Sequence, residues 1–458
     1  MKKVKSLLVA SVGILGAIAS LPSCGGSSTG GTVGEEVRKV VAECETLTRD
    51  ELFQKAADEI QGGKLKFIGT SSRFKKAIAS FREELTKKNA ACANMTITED
   101  TAVDGNIYTK LLTEIENGVT TGYDGALLQD GYQLQKKGID TGYFVNYVPK
   151  EWKEASDTNK DLNAEPFSLQ YNMKTWMTNN KGDNALVIDN VWDITADKFK
   201  GKVQTMDPRN ENVNMDWLIM LTRDDWCDVL KEAFEDSTND NKSLDISKYA
   251  EYGEKKKYAY AFMDGYIKNA VFNADDGAAR DNLTKAEGTA GWIVYSKIAS
   301  IQESSEISKK NITISALGNE NTDGTTATMH VKGFGGFMYK HYLQVMPYTT
   351  HPYTTCAFIN YLSTTEAGYK AWATDIGDYP SMPSINIDRT KYGHGTLDSE
   401  NKWTQSDSAD NVFSALNDPK SSWWESKTGG NVVIEDPAYI VTQYKSVYKF
   451  LDAAISSK

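Results

Sequence analysis

Two short polar segments hold side chains whose types and spacing suit recognition of a small molecule. Thr70-Ser71-Ser72-Arg73 places hydroxyls and a guanidinium in consecutive positions. Hydroxyls donate or accept, and the guanidinium adds a fork of donors. A strand-to-helix junction also presents unpaired N–H groups and a positive dipole end, which suit a carboxylate, a phosphate or a hydroxyl. The same residues fit a plain serine N-cap followed by an exposed arginine. Asp207-Pro208-Arg209-Asn210-Glu211-Asn212-Val213-Asn214 offers a second helix start, with Asn210, Asn212 and Asn214 as donors or acceptors. It equally fits an asparagine-rich capping turn. Gln129 and Asp130 follow an apolar run, where the Asp130 carboxylate suits a ligand amine. Trp292 and Tyr295 lie in another apolar run, where a ring either stacks on a ligand or packs into the core.

Other chemistries leave little trace. The four histidines, His330, His341, His351 and His394, are scattered, so a multi-histidine metal site is not expected. Neither H-E-x-x-H nor G-x-x-x-x-G-K-[ST] occurs. No metal, cofactor or catalytic residue is assigned, and the chain reads as a non-enzyme. An anchored glycan hydrolase stays as an alternative, because paired carboxylates leave no local signature.

The surrounding pattern supplies the elements that position these residues. Val33 to Ile60 reads as a helix with Asp50 as N-cap of its second part, stopped by Gly62-Gly63. Lys64 to Gly69 alternates as a strand, and Thr70–Arg73 opens a helix with Phe74, Ile78 and Phe81 on its apolar face. Ala93–Thr98 and Tyr123–Leu128 are further strands, with a helix over Ile107–Ile115 between them. Strands expected next are Pro166–Asn172, Ala185–Val191, Lys202–Met206, Ala290–Tyr295 and Ile312–Leu317, with a helix over Trp217–Leu221. Met329–Met338 reads as a return crossing. A helix starts at Pro352, and the chain ends in one from Pro437 to about Ile455. Alternating strands and helices predict a mostly parallel α/β sheet, whose ligands lie outside the carboxyl ends of the strands. Those ends carry Thr70–Arg73 and Gln129–Asp130.

The amino terminus carries an address. Lys2, Lys3 and Lys5 precede an uncharged apolar stretch from Ser6 to Leu21, too short to span a bilayer comfortably. It ends in Leu21-Pro22-Ser23-Cys24, which resembles a lipobox; in lipoproteins of this kind the cysteine is lipidated after cleavage just before it. A Gly/Ser-rich tether follows Cys24. The chain carries a net charge of −11, and loss of the three signal lysines would make it more acidic still. That argues against nucleic acid as a partner, since phosphate binding needs clustered Lys and Arg. Cys44, Cys92, Cys227 and Cys356 contain no C-x-x-C pair. They allow up to two disulfides in an oxidising compartment, or pack as small buried hydrophobes.

Several stretches, in order, resemble the type II extracellular solute-binding proteins of ABC importers. They are Tyr123-Asp124-Gly125-Ala126-Leu127, Asn190-Val191-Trp192-Asp193-Ile194-Thr195, Phe199-Lys200-Gly201-Lys202-Val203, Met206-Asp207-Pro208 and Ala357-Phe358-Ile359-Asn360-Tyr361-Leu362 with Thr365-Glu366-Ala367-Gly368. The branch is the one with polyamine, ferric-ion, thiamine and phosphonate binders. The resemblance covers most of residues 60–375. It implies two α/β lobes joined by hinge strands that close on a ligand, and it places Tyr379 on a segment returning toward the cleft. The layout expected is a signal peptide over 1–23, a tether over 24–34, lobe I over 35–165, lobe II over 166–328, a return to lobe I over 329–384 and an extension over 385–458. The implied partners are a small-molecule ligand, ABC permease subunits and the membrane holding the lipidated Cys24, with the protein itself monomeric and outside the cytoplasm. Polyamine, sugar and organic-anion ligands all stay open. The Ser-Ser-Arg junction favours one with an anionic or hydroxyl-rich end. A surface adhesin or sensor lipoprotein on the same fold is the other alternative.

Overall fold

The computed structural model describes residues 33–102, 104–118, 122–155, 164–179, 186–237, 244–297, 312–314, 331–373, 378–382, 384–385, 396–397, 403–404 and 432–458. The signal segment, Cys24 and most of the tether lie outside the described residues. In chain order the strands are β1 (Lys64–Gly69), β2 (Thr96–Thr101), β3 (Gly125–Leu128), β4 (Val145–Asn146), β5 (Ser168–Asn179), β6 (Val203–Met206), β7 (Ala270–Asn273), β8 (Thr289–Val294), β9 (Ile312–Ile314), β10 (Gly336–Val345), β11 (Asp378–Pro380), β12 (Thr396–Leu397), β13 (Trp403–Thr404) and β14 (Val432–Ile434).

The main sheet follows the order β2-β1-β3-β10-β5-β8-β6-β7. β2, β1 and β3 are parallel at one end, and β8, β6 and β7 are parallel at the other. Between them β10 and β5 run antiparallel to each other and to β3 and β8. Two strands of 12 and 10 residues thus carry the chain from one half to the other and back. Both are buried along their whole length, which explains why neither shows the half-exposed alternation of an edge strand.

Each half has its own apolar core. In the first, Phe67, Phe81 and Phe358 pack edge-on or tilted at 5.0–5.3 Å against helices flanking β1. In the second, the Trp292 ring lies 4.4 Å from Trp176 and 4.2 Å from Trp217, all three fully enclosed. Such aromatic pairs add about 0.5–1.5 kcal/mol each beyond the area they bury. Cys44, Cys92, Cys227 and Cys356 are free and buried, packing as small hydrophobes.

Several expected boundaries move. The helix read over Val33–Ile60 is two helices, α1 (Glu35–Cys44) and α2 (Arg49–Ile60). The N-cap of α2 is Thr48 rather than Asp50: Thr48 and Glu51 cap each other reciprocally, an arrangement that contributes about 1 kcal/mol. Ala90–Asn94 forms a 3-10 turn, so β2 starts later than expected and runs on to Thr101. Residues 186–188 form no strand; Ile188 is instead buried beside the 3-10 turn Val191–Thr195. The return crossing is β10, displaced toward the carboxyl terminus from Met329–Met338. A 3-10 turn, Ser72–Ala77, precedes α3 (Ile78–Lys88), and α4 (Asp104–Glu116) follows β2.

The carboxyl-terminal segment is part of the body. β14 pairs in parallel with β10, and the terminal helix Pro437–Ser456 buries Ile440, Val447, Leu451 and Ile455 in the second core. Their spacing keeps one stripe of the helix inward, and each such side chain contributes about 1.5–3 kcal/mol of gross burial.

Candidate functional site

A cleft of about 560 Å³ opens where the two halves face each other, lined by Thr70, Thr101, Ala102, Gly105, Gln129, Asn210, Glu211, Asn212 and Val213. One wall is made of strand ends: Thr70 follows β1, Thr101 closes β2, Gln129 follows β3, and Gly105 lies in the first turn of α4. The other wall is the turn after β6 and the start of the helix Asn212–Met220. Parallel strands deliver their connections to the same edge, so both halves place loops and helix starts here.

Six of the nine described lining residues carry polar side chains, and all of these but Glu211 are neutral. The Thr70 amide is bonded to Leu127 O at 3.1 Å, but its Oγ1 is buried without a hydrogen-bond partner among the described residues. A buried hydroxyl left unmatched costs about 1–3 kcal/mol, so this atom is suited to a ligand group. Glu211 is the one charged side chain of the lining. Burial pushes its carboxyl above the usual range, opposed by the Lys174 ammonium at 3.9 Å. Lys174, fully enclosed on β5, also lies 3.4 Å from Asp276.

Behind Ser71–Arg73 lies a buried polar network on the crossing strands. Arg73 Nη1 bonds Asp378 Oδ2, and Asp378 Oδ1 accepts from Gln170 Nε2 at 3.0 Å. Gln170 Nε2 also lies 3.1 Å from His341 Nδ1, and its Oε1 accepts from Tyr369 OH at 2.8 Å. Burial, helped by the Arg73 charge, lowers the His341 pKa to about 3, so this imidazole is neutral. Arg73 therefore anchors the 3-10 turn to β11 and β5. Ser71 Oγ accepts from the Arg73 amide, as an N-cap.

Asp130 sits beside the cleft in an unusual backbone state. Its φ is 71°, uncommon for a residue with a Cβ, and it is enclosed. Its carboxylate accepts from Gln133 N at 3.0 Å, from Gln133 Nε2 at 2.5 Å and from Asn212 Nδ2 across the cleft. Burial raises its pKa to about 6.

Of the residues singled out in the sequence, Thr70, Gln129, Asn210 and Asn212 meet in the cleft, with Asp130 bonded to Asn212. Ser71, Ser72 and Arg73 continue from Thr70 along the first turn. Four others pack inside. Asn214 ties its helix to β6 through Thr205 Oγ1 at 3.2 Å and Met206 O at 3.0 Å. Trp292 belongs to the tryptophan cluster, Tyr295 donates its amide to Met173 O at 2.7 Å, and Tyr379 pairs with Tyr171 within the sheet. Sequence reasoning missed Thr101 because β2 was ended too early, although the strand-end rule applied to the true end would have found it. It passed over Glu211, which stands between the flagged asparagines. Among the described residues, no group of three His, Cys, Asp or Glu side chains is placed to hold a metal ion, and no helix is long and apolar enough to cross a membrane.

No family model matches the sequence, and no curated protein matches it by sequence. The fold, however, matches solved structures of periplasmic binding proteins. A Trichodesmium protein (IdiA, FutA) in complex with iron and citrate superposes with a TM-score of 0.54 at 13% identity, covering 86% of this chain and 99% of that one. Iron-bound HitA from Pseudomonas aeruginosa gives 0.53 at 11% identity, covering 85% and 99%. The ferric binding protein from Campylobacter jejuni gives 0.51 at 12% identity, covering 85% and 99%. The chain has the two-lobed α/β fold of periplasmic solute-binding proteins, with β5 and β10 as the strands joining its lobes.

Proposed function

We propose that the protein captures a small polar solute between its lobes and delivers it to the permease of an ABC importer, acting as a monomer without catalysis. The observation that carries this reading is the cleft itself. Strand ends of one lobe face a helix start of the other, and the buried Thr70 Oγ1 has no partner among the described residues. A two-lobed body hinged on two strands gives ligand binding a closure to bias, which suits handover to a permease that engages only the closed form. Lipidation of Cys24 would hold the body on the outer face of a membrane.

The lining supports a neutral or cationic, hydroxyl- or amide-bearing solute over the anion favoured by the sequence. Arg73 is committed to Asp378, and Glu211 is the charge nearest the ligand space. Iron, named for the structural neighbours, is not carried over to this cleft, whose lining among the described residues contains Glu211 as its one carboxylate and no His, Cys or Tyr. A thermal-shift screen of sugars, amino acids, amines, organic anions and ferric citrate tests the proposal. A ligand at one hundred times its Kd stabilises by about 2.7 kcal/mol, so one neutral or cationic class should give a dose-dependent rise. A rise with organic anions alone overturns the solute class, and none from any class favours the adhesin reading.

A further inference from the structure

We infer that Lys174 and Asp276, which stand behind the cleft wall, set the charge of the solute by leaving the Glu211 carboxylate open to a ligand ammonium. The inference rests on the cleft being the solute site. It narrows the neutral or cationic class to solutes with a cationic, hydrogen-donating head.

Alternation along β5 puts Gln170, Asn172 and Lys174 on one face of the crossing strand. Lys174 stands in register with Val294 on the neighbouring strand β8. The helix Asp276–Lys285 carries Asp276 in its first turn, where the helix dipole favours negative charge. One oxygen, Asp276 Oδ1, accepts from Val294 N at 3.3 Å and from Lys174 Nζ at 3.4 Å. The nearer Glu211 oxygen is 3.9 Å from the same ammonium, beyond hydrogen-bonding reach. Lys174 is therefore held by Asp276 and attracts Glu211 without bonding it.

Exposure separates the three side chains. Lys174 is 1% exposed and Asp276 16%, whereas Glu211 is 29% exposed and lines the cleft between Asn210 and Asn212. Among the described residues, none donates a hydrogen bond to the Glu211 carboxylate. A carboxylate this enclosed needs donors, and N–H groups of the solute can supply them. Burial raises its carboxyl, and an ammonium brought against it favours the ionised form. Other carboxylates nearby already have donors. Asp207 accepts from Arg209 Nη2 at 2.7 Å, and Asp378 is bonded to Arg73. Asp130 accepts from Gln133 N at 3.0 Å and from Asn212 Nδ2. Lys174 balances one of its two carboxylate neighbours, so one negative charge remains on the side facing the solute. On the opposite wall, Thr70 Oγ1 suits a hydroxyl or amide of the same molecule.

The two hidden residues pull in opposite directions, which gives the test its sign. Aminobutanol and butanediol, alike except for an ammonium in place of one hydroxyl, serve as probes in calorimetric titrations of the full chain. The wild type should favour aminobutanol by at least about tenfold, the worth of one charge-assisted hydrogen bond. Lys174→Met leaves both carboxylates uncompensated and should raise that preference by about a further tenfold. Asp276→Asn keeps an oxygen for the Val294 amide but frees Lys174 to neutralise Glu211, and should bring the two affinities together. A merely structural role would weaken both probes alike and leave their ratio unchanged. Either variant carries the test if the other fails to fold. An unchanged ratio in a folded variant, equal affinities in the wild type, or no binding of either probe overturns the inference. In that last case a thermal-shift hit of another class leaves solute capture standing, and no hit from any class removes both.

Discussion

Replacing Arg73 with methionine separates a structural arginine from a ligand-binding one. The side chain is one-third exposed, but its partner Asp378 is 1% exposed and is shared with Gln170 at 3.0 Å. Removing one member of such a pair strands a buried carboxylate, and breaking buried pairs in this way costs about 3–5 kcal/mol. Gln170 remains as a donor and Arg73 is partly solvated, so the lower end, about 3 kcal/mol, is expected. For a chain of this size that lowers Tm by roughly 4 °C. The double variant Arg73→Met/Asp378→Asn removes the stranded charge and should recover most of the loss, because replacing both partners is close to neutral where truncating one is not. Differential scanning calorimetry on wild type, both single variants and the double variant gives the coupling directly. If Arg73→Met leaves Tm unchanged and instead abolishes binding of a thermal-shift hit, the arginine serves the ligand and the assignment to Asp378 is wrong.

Further outcomes follow from other parts of the structure. Trp292→Ala should cost about 3–5 kcal/mol, because it empties the space between Trp176 and Trp217; denaturant titration measures it, and a loss below 1 kcal/mol would mean the cluster repacks. Glu211→Gln should weaken an aminated hit by at least about tenfold, the worth of one charge-assisted hydrogen bond, with calorimetric titration as the check. Cys24→Ser should move the protein from the membrane fraction to the soluble extracytoplasmic fraction, as immunoblots of separated fractions would show.

Alternation and turn chemistry made the parallel ends of the sheet legible: β1, β3, β6 and β8 fall close to the runs read from sequence. The crossing strands were harder. β5 and β10 are enclosed on both faces yet carry Gln170, Asn172, Lys174, Lys340 and His341, several of which meet partners distant in sequence, such as Asp378 for Gln170 and Asp276 for Lys174. A local reading sees such residues as solvent-facing, so it marked the two crossings, over Pro166–Asn172 and Met329–Met338, but missed how far each strand runs. The cleft was half visible. Thr70, Gln129, Asn210 and Asn212 follow from the strand-end rule, while Trp292, Tyr295 and Tyr379 share residue types with ligand platforms but spend their rings on packing. Glu435 gave no signal at all, because its partners Gly131, Lys340 and Tyr342 reach it only through the terminal segment folding back along β10.

The most direct test of the cleft as the solute site is calorimetric titration of the best thermal-shift hit into the wild type and into Thr70→Val/Asn210→Ala. Valine keeps the shape of threonine without its hydroxyl, and Asn210 is exposed, so the variant should retain the wild-type Tm. One-to-one binding in the wild type, weakened at least about tenfold in the variant, is the expected result. Equal affinity in the two proteins would place the solute elsewhere and contradict the account.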